Sequence, residues 1–214
     1  MDVLILAAGF GSRMGDLTQK IPKPLLSVNQ KPLISYTIEL TENLPFENIY
    51  VNTHYQADIL QKFLKQNYPQ IKISHEKNIL GTGGGVKKVQ NQDICILNTD
   101  YLWQPEFILE IKNATNFFQN NVLIENLLLV NSKSNFFDLD MSDNSLINFP
   151  PQRKNTQYQG CHFLRKGALN NYPEIFDIPE YWKKCSQKKK LYGFETSIIN
   201  PHIGTKKLYL KYQK

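Results

Sequence analysis

The residues best suited to chemistry stand close together near the start of the chain. Residues 4–26 read LILAAGFGSRMGDLTQKIPKPLL, an apolar run that breaks into Gly9, Gly11 and Gly15 around Arg13, with Lys23 between Pro22 and Pro24. Glycines let backbone N–H groups approach an anion closely, and the arginine fork and the lysine ammonium supply charge to phosphate oxygens. A buried strand feeding such a loop reads as a polyphosphate site. Two familiar phosphate loops do not fit. A dinucleotide loop, G-x-G-x-x-G, needs its third glycine one place earlier and an acidic residue about 20 positions on. No Asp or Glu occurs between Asp16 and Glu39. The Gly-Lys-Ser/Thr of a Walker loop is also absent. A glycine turn that binds nothing would leave Arg13 and Lys23 as unexplained charges beside a buried strand.

The surrounding pattern supplies the elements that position this loop. Val3–Ala8 reads as a strand, Pro32–Leu40 as a helix, Asn48–Asn52 as a strand and Asp58–Tyr68 as a helix with Ile59, Leu60, Phe63 and Leu64 on one face. Ile71–Ser74 is a strand, the glycine cluster Leu80–Gly85 leads into a helix over Val86–Gln90, and Asp93–Leu97 is an apolar strand ending in Asn98-Thr99-Asp100. Strands alternating with helices predict βαβ units and an α/β fold, a Rossmann-like, mainly parallel sheet flanked by helices. Ligands of such sheets sit beyond the strand C-termini, so Gly9–Gly15, Glu76–Gly85 and Asn98–Asp100 are expected to converge. Further on, Pro105–Phe118 reads as a helix, Val122–Val130 as a strand, and Phe137–Met141 with Ser145–Phe149 as a hairpin. Tyr158–Leu164 (strand), Pro179–Lys189 (helix) and Leu191–Phe194 (strand) complete the pattern. There is no hexapeptide repeat and no low-complexity linker, so residues 1–214 read as one domain, with the halves 1–104 and 105–214 differing in character.

Composition narrows the class. The chain has 214 residues, 41% hydrophobic and 21% charged, as in ordinary globular proteins. No apolar run reaches the roughly 20 residues that span a bilayer, and the N-terminal run reads as a first strand and not a signal peptide. The odd count of three cysteines, Cys95, Cys161 and Cys185, without a C-x-x-C pair, favours a reduced, cytoplasmic setting, with Cys95 in the core. The net charge of +6 owes much to Lys183, Lys184, Lys188, Lys189 and Lys190, which read as a solvated helix end, and no aromatic–basic alternation indicates nucleic acid.

LAAGFGSRM followed by PKPLL resembles the signature of the sugar-1-phosphate nucleotidyltransferases, a G-x-G-x-R-M loop with a downstream P-K-P. The resemblance implies that Leu6, Ala7, Ala8, Gly9, Gly11 and Ser12 wrap a nucleoside triphosphate. It implies that Arg13 holds the departing pyrophosphate and that Lys23 neutralises the α-phosphate. Gly81 and Thr82 would cup the nucleobase, with Gly83 and Gly160 (in a Y-x-G turn) at the sugar. Where relatives often place a base-reading glutamine, this chain has Glu76. A carboxylate only accepts hydrogen bonds, which suits the N3–H of uracil or the N1–H and N2–H₂ of guanine and repels the bare N3 of cytosine. The alternative for Glu76 is an exposed loop charge.

Asn98-Thr99-Asp100 resembles the family's N-G-D, whose aspartate binds catalytic Mg²⁺, and an acid at the end of an apolar strand is costly unless paired or metal-bound. In Asn200–Thr205 a histidine, His202, stands where many relatives have the second metal-binding aspartate. Imidazole suits softer ions than Mg²⁺, so His202 reads as a ligand to Mg²⁺ or Mn²⁺, a phosphate contact or a packing residue. Leu102-Trp103 either shapes the sugar pocket or belongs to the core.

Segments such as VNTHYQADIL, HEKNILGTGGGVKK, LNTDYLW and HIGT extend the resemblance along nearly the whole chain. Its layout is most similar to the N-acetylmuramate-1-phosphate uridylyltransferases of peptidoglycan recycling, and mannose- and heptose-1-phosphate guanylyltransferases share the LGTGG-type loop. The resemblance implies catalysis by Arg13, Lys23 and Asp100, a metal at Asp100 and His202, and a nucleoside triphosphate and a sugar 1-phosphate as partners.

Overall fold

Two apolar runs, Val3-Leu4-Ile5 and Ile94-Cys95-Ile96-Leu97, are fully buried and become neighbouring strands at the middle of one sheet. Being covered on both faces is what makes them continuously apolar instead of alternating. The computed structural model describes residues 1–213. In chain order the elements are β1 (Asp2–Leu6), a small hairpin of β2 (Ser27–Val28) and β3 (Lys31–Pro32), α1 (Leu33–Glu42), β4 (Ile49–Thr53), α2 (Ala57–Asn67) and β5 (Lys72–His75). There follow α3 (Gly81–Val89), β6 (Ile94–Asn98), α4 (Phe107–Asn120), β7 (Asn126–Asn131), β8 (Asp140–Met141) and β9 (Ile147–Asn148). The last are β10 (Gln157–Leu164), α5 (Ile178–Gln187), β11 (Leu191–Glu195) and α6 (Lys206–Leu210).

Seven strands form the central sheet in the order β11-β7-β10-β6-β1-β4-β5. All neighbours run parallel except β10, which is antiparallel to both β6 and β7. The mixed, mainly parallel sheet matches the expected α/β class. Strand alternation divides the core. Leu4, Ile96, Leu128 and Val130 pack with Ile178, Tyr181 and Trp182 of α5. On the opposite face Cys95, Leu97 and Phe163 meet Phe107, Ile111 and Phe118 of α4, while Ile5 and Val51 meet Ile34, Ile38, Leu60 and Leu64 of α1 and α2. Strand β10 brings the second half of the chain into the middle of the sheet, between β7 and β6. Among the described residues no helix is long and apolar enough to cross a membrane.

The structure corrects several expected boundaries. Helix α3 begins at Gly81, not Val86, because the second half of the chain supplies acceptors to its first turn: Gly83 and Gly84 N–H donate to the Phe176 carbonyl at 3.0 and 3.1 Å. The strand expected from Val122 starts only at Asn126, and Val122 and Leu123 are exposed. The hairpin reduces to the two-residue pairs of β8 and β9. Ile59 lies outside the buried face of α2, which carries Leu60 and Leu64. Cys95 is core as expected, and all three cysteines are buried and free. Trp103 is also core, its Nε1 donating to the Asn98 carbonyl at 2.9 Å.

Candidate active site

Beyond the C-terminal ends of β1, β4 and β6 lies a cavity of about 410 Å³. Its wall contains Leu6, Ala7, Ala8, Gly9, Gly11, Ser12, Arg13, Lys23, Glu76, Gly81, Thr82, Asn98 and Asp100. The three loops expected to meet therefore do so, as the open side of a parallel sheet dictates.

After β1 the chain leaves the ladder and turns through Gly11 in the left-handed region, φ 66°. A Cβ there would lie 3.0 Å from the Lys23 Cβ and from Thr18 Cγ2, so this position must be glycine for the Pro22-Lys23-Pro24 turn to pack against the loop. Among the described residues the backbone N–H groups of Gly9, Phe10, Gly11, Ser12 and Arg13 have no protein acceptor. Gly9, Gly11, Ser12 and Arg13 line the cavity, and a run of unpaired N–H groups is what an anion nest requires. The N-terminus of α3 contrasts with them. Its Thr82 N–H donates to Asp177 Oδ1 at 3.1 Å, and the next two N–H groups serve Phe176. The unpaired N–H groups thus belong to the β1 loop, while α3 forms a side wall.

Asp100, at the end of β6, gathers the cations. Its Oδ2 lies 3.2 Å from Lys23 Nζ, 3.5 Å from Arg13 Nη2 and 3.5 Å from His202 Nε2. Burial works to raise the Asp100 pKa, yet the His202 hydrogen bond and the Lys23 charge outweigh it and hold the carboxyl well below the usual carboxylate range. Lys23 is shifted down from the ordinary lysine value, because burial outweighs the support of Asp100. Arg13 differs from both in being 62% exposed.

The segment after Asn200 completes this corner. Leu102 N–H donates to the Pro201 carbonyl and Ile203 N–H to the Asp100 carbonyl, which draws His202 alongside Asp100 and against the Tyr101 ring, 4.9 Å away between centroids. Gly204 makes room for the imidazole, since a Cβ there would stand 2.3 Å from His202 Nε2. Asp100 Oδ1 is buried with no hydrogen-bond partner. An orphaned carboxylate oxygen beside an imidazole fits a divalent cation whose other ligands are phosphate oxygens and water. Among the described residues no group of three or more His, Cys, Asp or Glu could hold an ion unaided.

Glu76 is not the exposed loop charge of the alternative reading. It is 1% exposed, with Oε1 accepting from Asn52 Nδ2 at 2.8 Å and Oε2 from Leu80 N–H at 3.0 Å. Neither expected sugar contact, Gly83 or Gly160, lines this cavity. Gly83 lies beneath Phe176, whose ring would be 2.3 Å from an added Cβ, and off the cavity wall. Gly160, at φ 78°, similarly yields its space to the Tyr101 ring. Both glycines give room to an aromatic ring. The sequence reading missed Asn52 and Asp177, which also line the cavity. Asn52 sits in the segment VNTHYQADIL without a local signal, and Asp177 arrives from the far half of the chain.

Comparison with known proteins agrees with this geometry. Residues 2–130 match the family model described as Nucleotidyl transferase. The bifunctional protein GlmU of Methanococcus maripaludis is 33% identical over 95% of this chain, which covers 51% of that protein. The chain thus spans about half the length of the first curated relatives it matches. The D-glycero-alpha-D-manno-heptose 1-phosphate guanylyltransferase of Aneurinibacillus thermoaerophilus is 22% identical, with 100% of this chain and 97% of that protein covered. Among solved structures, HddC from Yersinia pseudotuberculosis superposes with a TM-score of 0.76 at 21% identity, covering 99% of this chain and 97% of its own, and shows the shared fold. With its glycine loop, its Pro-Lys-Pro turn and its acid-terminated central strand all inside the matched segment, the chain belongs to the nucleotidyl transferase family.

Proposed function

We propose that this chain transfers a nucleoside monophosphate from a nucleoside triphosphate to a sugar 1-phosphate, releasing pyrophosphate. The observation that carries this reading is the meeting of Arg13, Lys23 and Asp100 at the edge of a cavity whose loop N–H groups lack protein acceptors. An oxygen of the sugar phosphate attacks the α-phosphorus in line. A new P–O bond forms, the α–β bridging bond breaks, and pyrophosphate leaves with the electron pair. The nucleophile comes with the substrate, so the protein's part is positioning and charge neutralisation.

Lys23 and Arg13 both lean on Asp100. A bound triphosphate competes for them, Lys23 moving to charge at the α-phosphoryl and Arg13, the exposed partner, to the leaving pyrophosphate. Asp100 and His202 would hold a divalent ion, Mg²⁺ or Mn²⁺, which when bound supplies further neutralisation of phosphate charge. Glu76, buried against the cavity and fixed as an acceptor, supports a base that offers N–H on its pairing edge, uracil or guanine.

Within that class the favoured substrates are UTP and N-acetylmuramate 1-phosphate, on the motif likeness along the chain, with peptidoglycan recycling in the cytoplasm as the setting. The end-to-end similarity to a heptose 1-phosphate guanylyltransferase favours a second reading, GTP with mannose or heptose 1-phosphate. A matrix of four nucleoside triphosphates against muramate, glucosamine, mannose and heptose 1-phosphates, assayed for pyrophosphate, separates them. Turnover by UTP with the muramate derivative is expected. Turnover only by GTP with mannose or heptose 1-phosphate selects the second reading, and an empty matrix rejects both.

A further inference from the structure

Asn52 of β4 stands on the cavity wall between the phosphate loop and Glu76. It is 3% exposed, and its amide is committed at both ends. Oδ1 accepts from Ala7 N–H at 2.6 Å, which turns Nδ2 toward Glu76 Oε1 at 2.8 Å. A flipped amide would set an acceptor against the carboxylate and an N–H₂ against Ala7 N–H, losing both bonds. The Glu76 backbone is fastened as well, its N–H donating to the Thr53 carbonyl at 2.8 Å. The carboxylate is pinned by one N–H on each oxygen, and each oxygen keeps a second lone pair for a ligand.

Helix α3 packs on the same pair. A Cβ on Gly85 would lie 2.9 Å from Asn52 Nδ2 and 2.9 Å from Glu76 Oε1, on top of their hydrogen bond. Glycine weakens a helix interior relative to alanine, and at this buried position the Asn52–Glu76 pair accounts for it. We infer that Asn52 is a positioning residue for base selection: referenced to the phosphate loop through Ala7, it holds Glu76 in the orientation that reads the base, and Gly85 leaves the pair its space. The inference rests on Glu76 being the base reader of the proposed transferase.

Two variants test it without removing Glu76. Gly85→Ala suits a helix and pushes only on the far ends of two side chains. Asn52→Ala removes the donor to Glu76 without setting a second carboxylate beside it, and gives up the acceptor for Ala7 N–H as well. Calorimetric titration of UTP, GTP, CTP and ATP gives the ratio of tightest to weakest Kd, and inorganic tripolyphosphate reports the phosphate loop alone. The ratio is expected to fall about tenfold in both variants, in keeping with one lost hydrogen bond to a charged group, while tripolyphosphate binding to Gly85→Ala stays within about twofold of wild type. A wild-type protein that does not discriminate bases overturns the inference. So do variants that keep the wild-type ratio, or that weaken all four nucleotides and tripolyphosphate equally. Binding needs no turnover, so a wild type that releases no pyrophosphate counts against the transferase reading, whereas the Kd ratios judge Asn52.

Discussion

Replacing Arg13 with alanine separates function from stability more cleanly than any other change to this site. The side chain is 62% exposed, and its one ionic contact among the described residues, to Asp100, is long at 3.5 Å. Exposed pairs of that kind contribute about 0.5 kcal/mol or less once solvent screening is counted. For a domain of this size about 1 kcal/mol corresponds to roughly 2–4 °C, so Arg13→Ala should move Tm by no more than about 2 °C. Asp100 also keeps Lys23 and His202, which limits the damage further. The catalytic effect is of another order. Losing a preorganised donor to charge that develops on a leaving group costs about 3 kcal/mol, more than a hundredfold in rate. Pyrophosphate release and thermal unfolding, measured on one preparation, give both numbers. Wild-type turnover in Arg13→Ala would refute the pyrophosphate role, and an activity loss matched by a large fall in Tm would make Arg13 a structural residue.

Further outcomes follow from the same corner. The folded-state pKa of Asp100 lies below that of the unfolded chain, so its charge stabilises the fold above the ordinary carboxylate range and this contribution fades as pH falls below about 4. Asp100→Asn should therefore lower Tm at pH 7 and converge on wild type in acid, and a constant offset across the titration would contradict the assignment. Gly160→Ala, at φ 78° and with its Cβ 2.3 Å from the Tyr101 ring, should cost about 2–4 kcal/mol and several degrees in Tm, measured by calorimetry. Chelation should abolish turnover and added Mg²⁺ or Mn²⁺ restore it, with His202→Ala needing at least about tenfold more metal. An unchanged metal requirement would make His202 a packing residue.

How much of this was legible in the sequence depended on how local each cause is. The buried strands β1 and β6 announce themselves as apolar runs, and the phosphate loop and Lys23 lie within a single stretch of chain. The start of α3 could not be read, because poor helix formers from Gly81 to Gly85 adopt a helix only when Phe176 and Asp177, far along the chain, accept their N–H groups. The run Val122–Val130 looks uniformly strand-like, yet ladder pairing with β10 and β11 begins at Asn126 and leaves Val122 and Leu123 in solvent. Gly83 and Gly160 fit a sugar-site motif, but the rings of Phe176 and Tyr101 occupy the space their missing side chains leave. Burial of Glu76 depends on Asn52, one strand away, and no local pattern reports it.

In the proposed reaction the bond between the α- and β-phosphates is cut and a sugar 1-phosphate receives the α-phosphoryl. Following a radiolabel placed on the α-phosphate of the preferred nucleoside triphosphate, with unlabelled sugar 1-phosphate and a divalent metal present, tests it directly. The label should appear in a nucleoside diphosphate sugar, mole for mole with the pyrophosphate released. Label recovered as free nucleoside mono- or diphosphate, with no sugar nucleotide formed, would contradict it.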